Sequence, residues 1–258
     1  MTLNGLKYRL YLLKQILFGK NLPVPKDEPN IINGYFNTTP EWLQFNAHAN
    51  IFRLLDDIHV AEDYRAEAEE LKSLTRCDKD QNRNISEIDV NHLLYNLVRH
   101  IKPKKILEIG VYAGTASCHM SAAQHKYMKT ADMSLVDINR ENLEQTRNNL
   151  TKFNLMKEVK FFEGDSEELA ASGKIEVCDF IFLDADHTLK GVMRDVTSYW
   201  GLLAENGILA FHDSITWNGV RTVVNRIAKS ENPTFTFASS LGCGVSIVLK
   251  KSNSPFQD

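Results

Sequence analysis

Three absences in the 258-residue sequence restrict what the protein can be. The four cysteines, Cys77, Cys118, Cys178 and Cys243, form no Cys-x-x-Cys pair, so free thiols in a reducing compartment are expected and no zinc site is predicted. No apolar run approaches the roughly 18 residues of a membrane-spanning helix. The formal net charge of -3, from 30 basic and 33 acidic residues, gives no reason to expect nucleic acid as a partner.

Residues 1–80 are predicted to form a helical extension that caps the domain after it. Leucine recurs every three or four positions over residues 1–20, which makes one apolar stripe on a helix with a basic opposite face. This helix could lie on an anionic membrane surface, pack against a partner subunit or cover its own domain, and the sequence leaves these alternatives open. Because Lys7, Arg9 and Lys14 interrupt the apolar stretches, we predict no secretory signal and a cytoplasmic location.

The segment DKDQNRNISEID at 78–89 resembles a calcium-binding EF-hand loop. Arg83, however, stands where the sharp turn needs glycine, and Asp89 replaces the bidentate glutamate at position twelve. We therefore favour a polar linker with a helix cap at Ser86, and calcium binding is the alternative.

From residue 81 to 258, short apolar segments alternate with helical segments. The segments KKILEIG, MSLVDI, VKFFEGD, CDFIFLDA and GILAFHD, separated by helices, are typical of a parallel sheet covered on both faces. TFTFASS and GVSIVLKK, joined by LGCG, predict an antiparallel hairpin at one edge. We predict an α/β domain with a doubly wound, mostly parallel, seven-stranded sheet.

All five predicted parallel strands end in carboxylates. In such folds the ligand lies beyond the carboxyl ends of the strands. The acids are Glu108, Asp137, Asp165, Asp184 and Asp213. Any one of them, above all Asp165, could simply cap a helix, but five together predict an acidic cleft.

The glycine pattern after the first strand narrows the ligand. Gly110 and Gly114 are four residues apart, without the G-x-G-x-x-G that a pyrophosphate requires. The spacing suits a nucleoside without phosphates that carries an amino-acid sulfonium, and Asp137 at the next strand end could bind two ribose hydroxyls.

The motifs ILEIGVYAGTAS, SLVDI, FFEGDSEEL, FIFLDADH and GILAFHD resemble those of class I S-adenosylmethionine-dependent methyltransferases over about residues 84–250. The resemblance implies a Rossmann-like methyltransferase fold for residues 81–258, with S-adenosylmethionine as cofactor. It also implies a set of cofactor-binding residues, namely Glu108, Gly110, Val111, Gly114, Thr115, Asp137, Asp165 and Ser166. Of these, Glu108 and the glycines would shape the methionine pocket, Asp137 would bind ribose, and Asp165 with Ser166 would lie near adenine.

The sequence DADH followed by a strand ending in HD resembles a narrower group. It is similar to O-methyltransferases of natural-product and sugar hydroxyls and, more distantly, to catechol and caffeoyl-CoA enzymes, which commonly use a divalent metal. The resemblance implies Asp184 and Asp213 as metal ligands. The caffeoyl-CoA type has Asp-Asn where this chain has Asp213-Ser214, so His212 is the nearest substitute for a third ligand.

A hydroxyl acceptor needs activation, because it is a poor nucleophile at neutral pH. Mg²⁺ or another divalent cation between Asp184 and Asp213 would lower its pKa, and His187 is the predicted base. The alternatives are that His187 only begins a helix, that His212 is a packed strand residue, and that the enzyme needs no metal. Asp186 is predicted to cap the helix from 188.

The sequence therefore predicts an S-adenosylmethionine-dependent O-methyltransferase acting on a small-molecule hydroxyl, and we expect a homo-oligomer. The alternatives are an enzyme of the same fold that methylates another acceptor or does non-methyl chemistry, and a non-catalytic S-adenosylmethionine-binding protein.

Overall fold

A computed structural model describes residues 31–32, 86, 88–129, 131–237 and 243–256. The predicted basic helix over 1–20, nearly all of the extension and most of the EF-hand-like loop lie outside these residues, so those predictions and the boundary at residue 80 stay predictions. Within the described ranges, every helix is too short or too polar to span a membrane.

Strands and helices alternate along the chain as the sequence predicts. In chain order they are β1 (Ile31–Ile32), α1 (Ile88–Ile101), β2 (Ile106–Ile109), α2 (Thr115–His125), β3 (Met133–Asp137), α3 (Arg140–Lys152), β4 (Val159–Glu163), α4 (Ser166–Ala171), β5 (Cys178–Leu183), α5 (Leu189–Trp200), β6 (Leu203–His212), α6 (Asn218–Ile227), β7 (Thr234–Phe237) and β8 (Val245–Leu249).

These strands form one sheet in the order β1-β7-β8-β6-β5-β2-β3-β4. Strands β2 to β6 pair in parallel, and β8 pairs antiparallel with both β6 and β7, so the predicted α/β fold and its C-terminal hairpin are confirmed. We predicted seven strands, whereas the sheet formed by the described residues has eight. The additional strand is β1, which has only two residues. Residues 31–32, both β-branched, pair in parallel with β7. They provide backbone hydrogen-bond partners for the outer edge of β7.

Helices cover both faces of the sheet, because successive strand side chains point to opposite sides. One core joins α1, α2 and α3 to residues such as Ile106, Leu135 and Phe182. The other joins α4, α5 and α6 to residues such as Leu183 and Phe211. The chain changes faces between β2 and β5, which are neighbours, so a crevice opens at the carboxyl ends of these two strands.

One buried side chain, Asn232, fixes the C-terminal segment to the domain. Its Nδ2 donates to the Oγ atoms of Ser230 and Ser252 at 2.8 and 2.9 Å. Its Oδ1 accepts from the backbone N–H groups of Lys251 and Ser252 at 2.7 and 3.1 Å. The three contacts to Lys251 and Ser252 join the loop after α6 to the segment after β8.

Replacing Asn232 by Ala should lower the free energy of unfolding by roughly 3 kcal/mol, because buried partners lose their hydrogen bonds. Asn232→Asp keeps the acceptor but not the donors and should fall between Ala and wild type. Urea denaturation measures both. An Asn232→Ala variant as stable as the wild type would show that Asn232 does not fix the C-terminal segment to the domain.

Candidate active site

The turn between β2 and α2 is held by close packing that only glycine allows. Gly110 has φ +86° and Gly114 has φ +74°, both in the left-handed region. A Cβ on Gly110 would overlap the carbonyl oxygen of Asp184, and one on Gly114 would lie 2.5 Å from Cγ2 of Thr146. The turn is thus pressed between α3 and the end of β5, at the predicted ligand edge.

Asp137 ends β3 and organises this turn with its buried carboxylate. Oδ2 accepts from the backbone N–H groups of Val111 and Tyr112 at 3.1 and 3.2 Å. Oδ1 accepts from the N–H of Asn139 at 2.8 Å, and Nδ2 of Asn142 lies 3.2 Å from both oxygens. Asp137 therefore shapes the predicted nucleoside site whether or not it also binds ribose.

Glu108 lies beneath the turn and is 1% exposed. Ser117 Oγ donates to its Oε2 at 2.5 Å. Burial raises the pKa of Glu108 well above its usual value, and the charges of Asp184 and Asp137 add to the rise, although the Ser117 hydrogen bond opposes it. Burial therefore favours the protonated, neutral form of this carboxyl, a preference that the sequence did not reveal.

Asp165 and Ser166 follow β4 next to Asp137, because the N–H of Gly164 donates to the Asp137 carbonyl oxygen at 3.1 Å. Asp165 is the N-cap of α4, as the structural alternative predicted: its Oδ1 accepts from the N–H groups of Glu167 and Glu168.

The side chain of Ser166 is directed into the protein by a partner on α5. Its Oγ donates to Oδ1 of Asp195 at 2.5 Å, and the hydroxyl of Tyr199 donates to its carbonyl oxygen at 2.7 Å. Burial raises the pKa of Asp195, while the Ser166 hydrogen bond opposes the rise. Sequence reasoning missed Asp195, because an acid inside a helix carries no signal of burial.

A possible cation site lies at the ends of β5 and β6. The parallel register pairs Leu183 with Phe211, so the next residues, Asp184 and His212, stand side by side. Asp213 has φ +58°, and this left-handed turn brings its carboxylate back to the same place. Nδ1 of His212 is 3.1 Å from Oδ1 of Asp184 and 3.8 Å from Oδ2 of Asp213.

The donor set of this cluster fits a divalent cation. One ligand atom from each of Asp184, His212 and Asp213 lies within 4.8 Å of the other two. An octahedral ion with bonds of about 2.1 Å separates its ligands by about 3.0 Å in adjacent positions and about 4.2 Å in opposite ones. Small side-chain adjustments would therefore place all three atoms around one ion. Ser214, the next residue, is buried, and its Oγ has no hydrogen bond among the described residues.

The predicted base, His187, lies over the same carboxylates. Its Nε2 is 3.1 Å from Oδ2 of Asp213 and 3.4 Å from Oδ1 of Asp184; the N–H is not aligned with either, so these are ion-pair contacts. Burial favours the neutral imidazole, but the two carboxylates outweigh it and raise the pKa of His187 to about 9. Burial alone would raise the pKa of Asp184. The neighbouring His212 and His187 outweigh burial and hold this pKa below its usual value.

Asp186 does not cap the next helix itself, contrary to the prediction. Its Oδ1 accepts from the N–H of Thr188 at 2.8 Å, and Thr188 is the N-cap of α5, which begins at Leu189. The Thr188 hydroxyl accepts from the N–H of Gly191 at 3.1 Å. The turn places the cap two residues after Asp186, because an aspartate hydrogen-bonds most readily to its own backbone two residues on.

Two apolar residues that sequence reasoning missed border His187. Trp217 stacks on the His187 ring, with ring centroids 5.2 Å apart, and its side chain is 44% exposed. Leu189 is also exposed, and Gly219 lets the start of α6 pack against the backbone of His187 and Leu189. The sequence carries one signal for Trp217, namely an aromatic residue shortly after the strand that ends in His212-Asp213. An aromatic residue at the start of a helix is common enough that this signal did not indicate a site.

Comparison with known proteins agrees with this architecture. Residues 107–214 match the family model described as a methyltransferase domain. The chain is 29% identical over 163 residues to caffeoyl-CoA O-methyltransferase 2 of Petunia hybrida and 30% identical over 162 residues to caffeoyl-CoA O-methyltransferase 1 of Eucalyptus globulus. Each match covers 60% of this chain, and 65% and 63% of the two relatives, so the chain spans less than two thirds of their length.

Solved structures show the same fold at lower identity. An O-methyltransferase of tomaymycin synthesis from Streptomyces achromogenes, in complex with S-adenosylmethionine, superposes with TM-score 0.59 at 15% identity over 81% of this chain and 98% of its own. A Podospora anserina methyltransferase bound to S-adenosylhomocysteine gives 0.58 at 19% identity over 91% and 100%.

The described residues thus have the fold of the class I, S-adenosylmethionine-dependent methyltransferases, and the match of residues 107–214 to a methyltransferase domain supports the resemblance seen in the sequence. Within that class, the chain is similar in sequence to the caffeoyl-CoA O-methyltransferases.

The raised pKa of Glu108 predicts a pH effect on stability. Its pKa is higher in the folded than in the unfolded chain, so between these values the folded state binds more protons and stability falls as pH rises. Glu108→Gln has no ionisable proton at this position, so its free energy of unfolding should fall less than that of the wild type as pH rises. Urea denaturation of both proteins without cofactor at about pH 5 and about pH 8 measures the difference. Identical pH dependence of the two would show that Glu108 ionises normally.

Proposed function

We propose that the protein is an S-adenosylmethionine-dependent O-methyltransferase that acts on a small-molecule hydroxyl with the help of a divalent cation. The observation that carries the proposal is the packing of Gly110 on the Asp184 backbone, which joins the cofactor turn to the cation cluster. A methyl donor in the turn would face an acceptor held at the cluster. The caffeoyl-CoA O-methyltransferases it resembles are, by name, enzymes of this reaction class.

Methyl transfer is an in-line displacement, so the residues must orient the acceptor oxygen and remove its proton. Asp184, His212 and Asp213 would hold the cation, for which Mg²⁺ is the first expectation. A cation bound there supplies a Lewis acid that lowers the pKa of the acceptor hydroxyl. The carboxylates would also orient the acceptor within reach of His187.

His187 is the proposed proton acceptor at Nε2. The attraction of two carboxylates raises its pKa to about 9, so without a counter-charge the imidazole keeps its proton at neutral pH. Positive charge between Asp184 and Asp213 would offset that attraction and return the pKa toward about 6.5, the range of an effective base. The base and the cation therefore depend on the same pair of carboxylates.

The acceptor would meet an apolar border beside the cluster. Trp217 and Leu189 are exposed next to His187, and an exposed aromatic ring favours a flat ligand surface such as a phenol or the apolar face of a sugar. We propose acceptors of these two kinds. The cytoplasmic location and the homo-oligomer are parts of the proposal that rest on the sequence alone.

The first test separates cofactor binding from catalysis. Calorimetry with S-adenosylmethionine should show binding, and methyl transfer to a panel of phenols and sugars should fall at least tenfold with EDTA. Failure to bind S-adenosylmethionine would contradict the proposed function. Activity that ignores EDTA would contradict only the cation, and binding without any product would favour a non-catalytic binding protein.

The second test concerns His187. With an acceptor found in that panel, His187→Gln should reduce kcat by about 10² to 10⁴ and leave S-adenosylmethionine affinity unchanged, because only proton transfer is lost. His125→Gln on α2 is the matched control, since that histidine bonds the Ser121 carbonyl oxygen away from the cluster. Equal kcat values for the His187 and His125 variants would exclude His187 as the base.

A further inference from the structure

We infer that His212 is a direct cation ligand through Nδ1, and that this nitrogen makes the site prefer a first-row transition metal such as Co²⁺, Fe²⁺ or Zn²⁺ over Mg²⁺. The inference rests on the cation site of the proposed function, and it replaces the first expectation of Mg²⁺ with a different class of ion.

The fold places Nδ1 of His212 beside the two carboxylates of the cluster. His212 is 7% exposed, its backbone pairs with Val245 of β8, and its ring contacts Phe182 at a centroid distance of 6.3 Å. The ring lies with Nδ1 toward the carboxylates, 3.1 Å from Oδ1 of Asp184. The buried His212 side chain thus faces the candidate cation position.

The protonation of this nitrogen distinguishes two roles. A proton on Nδ1 would be donated to Asp184, and His212 would then only orient that carboxylate. A lone pair on Nδ1 would instead bind an ion, and cation binding would displace any proton present. The 3.1 Å distance to Oδ1 of Asp184 fits either role, whereas the 3.8 Å distance to Oδ2 of Asp213 is too long for a hydrogen bond and lies within the range of ligand separations around one ion, which favours the second role.

The donor atoms decide which ion is preferred. Mg²⁺ is a hard cation that favours oxygen, keeps several waters and gains little from imidazole. Imidazole suits Zn²⁺, Fe²⁺ and the ions between them in the series, whose affinity for nitrogen ligands exceeds that of the alkaline-earth ions. If two carboxylates and one imidazole bind the cation from the same side, its remaining coordination positions would be open for an acceptor hydroxyl and water. The chain thus carries a site of mixed nitrogen and oxygen donors.

Metal affinities of the full chain, stripped with a chelator and then dialysed, test the preference by calorimetry. Wild type should bind Co²⁺ at least about tenfold more tightly than Mg²⁺. His212→Asn can still donate to Asp184 through its amide but has no imidazole, so Co²⁺ affinity should fall about tenfold or more while Mg²⁺ affinity changes little. An equal loss for both ions would show that His212 only positions Asp184 and would overturn the inference.

A spectroscopic readout identifies the ligand independently of affinity. In the proton NMR spectrum of the Co²⁺ protein, an imidazole bound through Nδ1 should give a strongly shifted, solvent-exchangeable Nε2–H signal. His212→Asn should remove it, and His187→Gln should keep it. A signal that is lost only in the His187 variant would assign the nitrogen to His187 instead, and a wild-type protein that binds Co²⁺ without any such signal would exclude both histidines.

Every outcome bears on the inference separately from the proposed function. Circular dichroism shows whether the His212→Asn variant folds. If it does not, the ratio of Co²⁺ to Mg²⁺ affinity of the wild type tests the metal preference, and the proton NMR spectrum of the Co²⁺-loaded His187→Gln variant tests whether His212 is the ligand. If wild type binds neither ion, the inference is overturned, while S-adenosylmethionine binding and EDTA-independent methyl transfer remain measurable on their own.

Discussion

Repulsion among carboxylates at one edge of the sheet is the constraint around which the rest of the site is built. Parallel strands deliver Glu108, Asp137, Asp184 and Asp213 to the same crevice, and each charge is compensated in a different way. Burial raises the pKa of Glu108 and favours its neutral form, whereas Asp137 is surrounded by backbone and side-chain N–H groups. Only Asp184 and Asp213 depend on mobile positive charge, which here comes from histidine. These two are therefore the carboxylates suited to exchange one cation for another.

Much of this arrangement could be predicted, because in a parallel sheet the position of a residue after a strand fixes its place at the edge. Asp184 and His212 each end an apolar strand segment, so the sequence could place both at this edge, and the register of Leu183 with Phe211 is what sets them side by side. Asp165 shows the limit of the same logic: a strand-end acid and a helix N-cap occupy the same position, and the structure shows the cap.

What the sequence could not show depends on directions and contacts over long separations. The left-handed φ of Asp213 turns its side chain into the cluster, although nothing in the residue type requires it. Asp195 approaches Ser166 only because α5 packs on α4, and Trp217 reaches His187 only because Gly219 lets two backbones touch. The short strand at 31–32 lies in the extension that was predicted to be helical, and two residues carry too little pattern for the sequence to indicate edge pairing.

The contact of Gly110 with the Asp184 backbone carries a thermodynamic consequence. No Cβ fits between them, so the turn and the end of β5 cannot shift independently. A ligand that fixes the turn restricts the carboxylate, and an ion that fixes the carboxylate restricts the turn. If the proposed ligands bind, such a shared constraint gives a coupling free energy that acts equally in both directions: the factor by which a bound nucleoside would change cation affinity is the factor by which a bound cation would change nucleoside affinity.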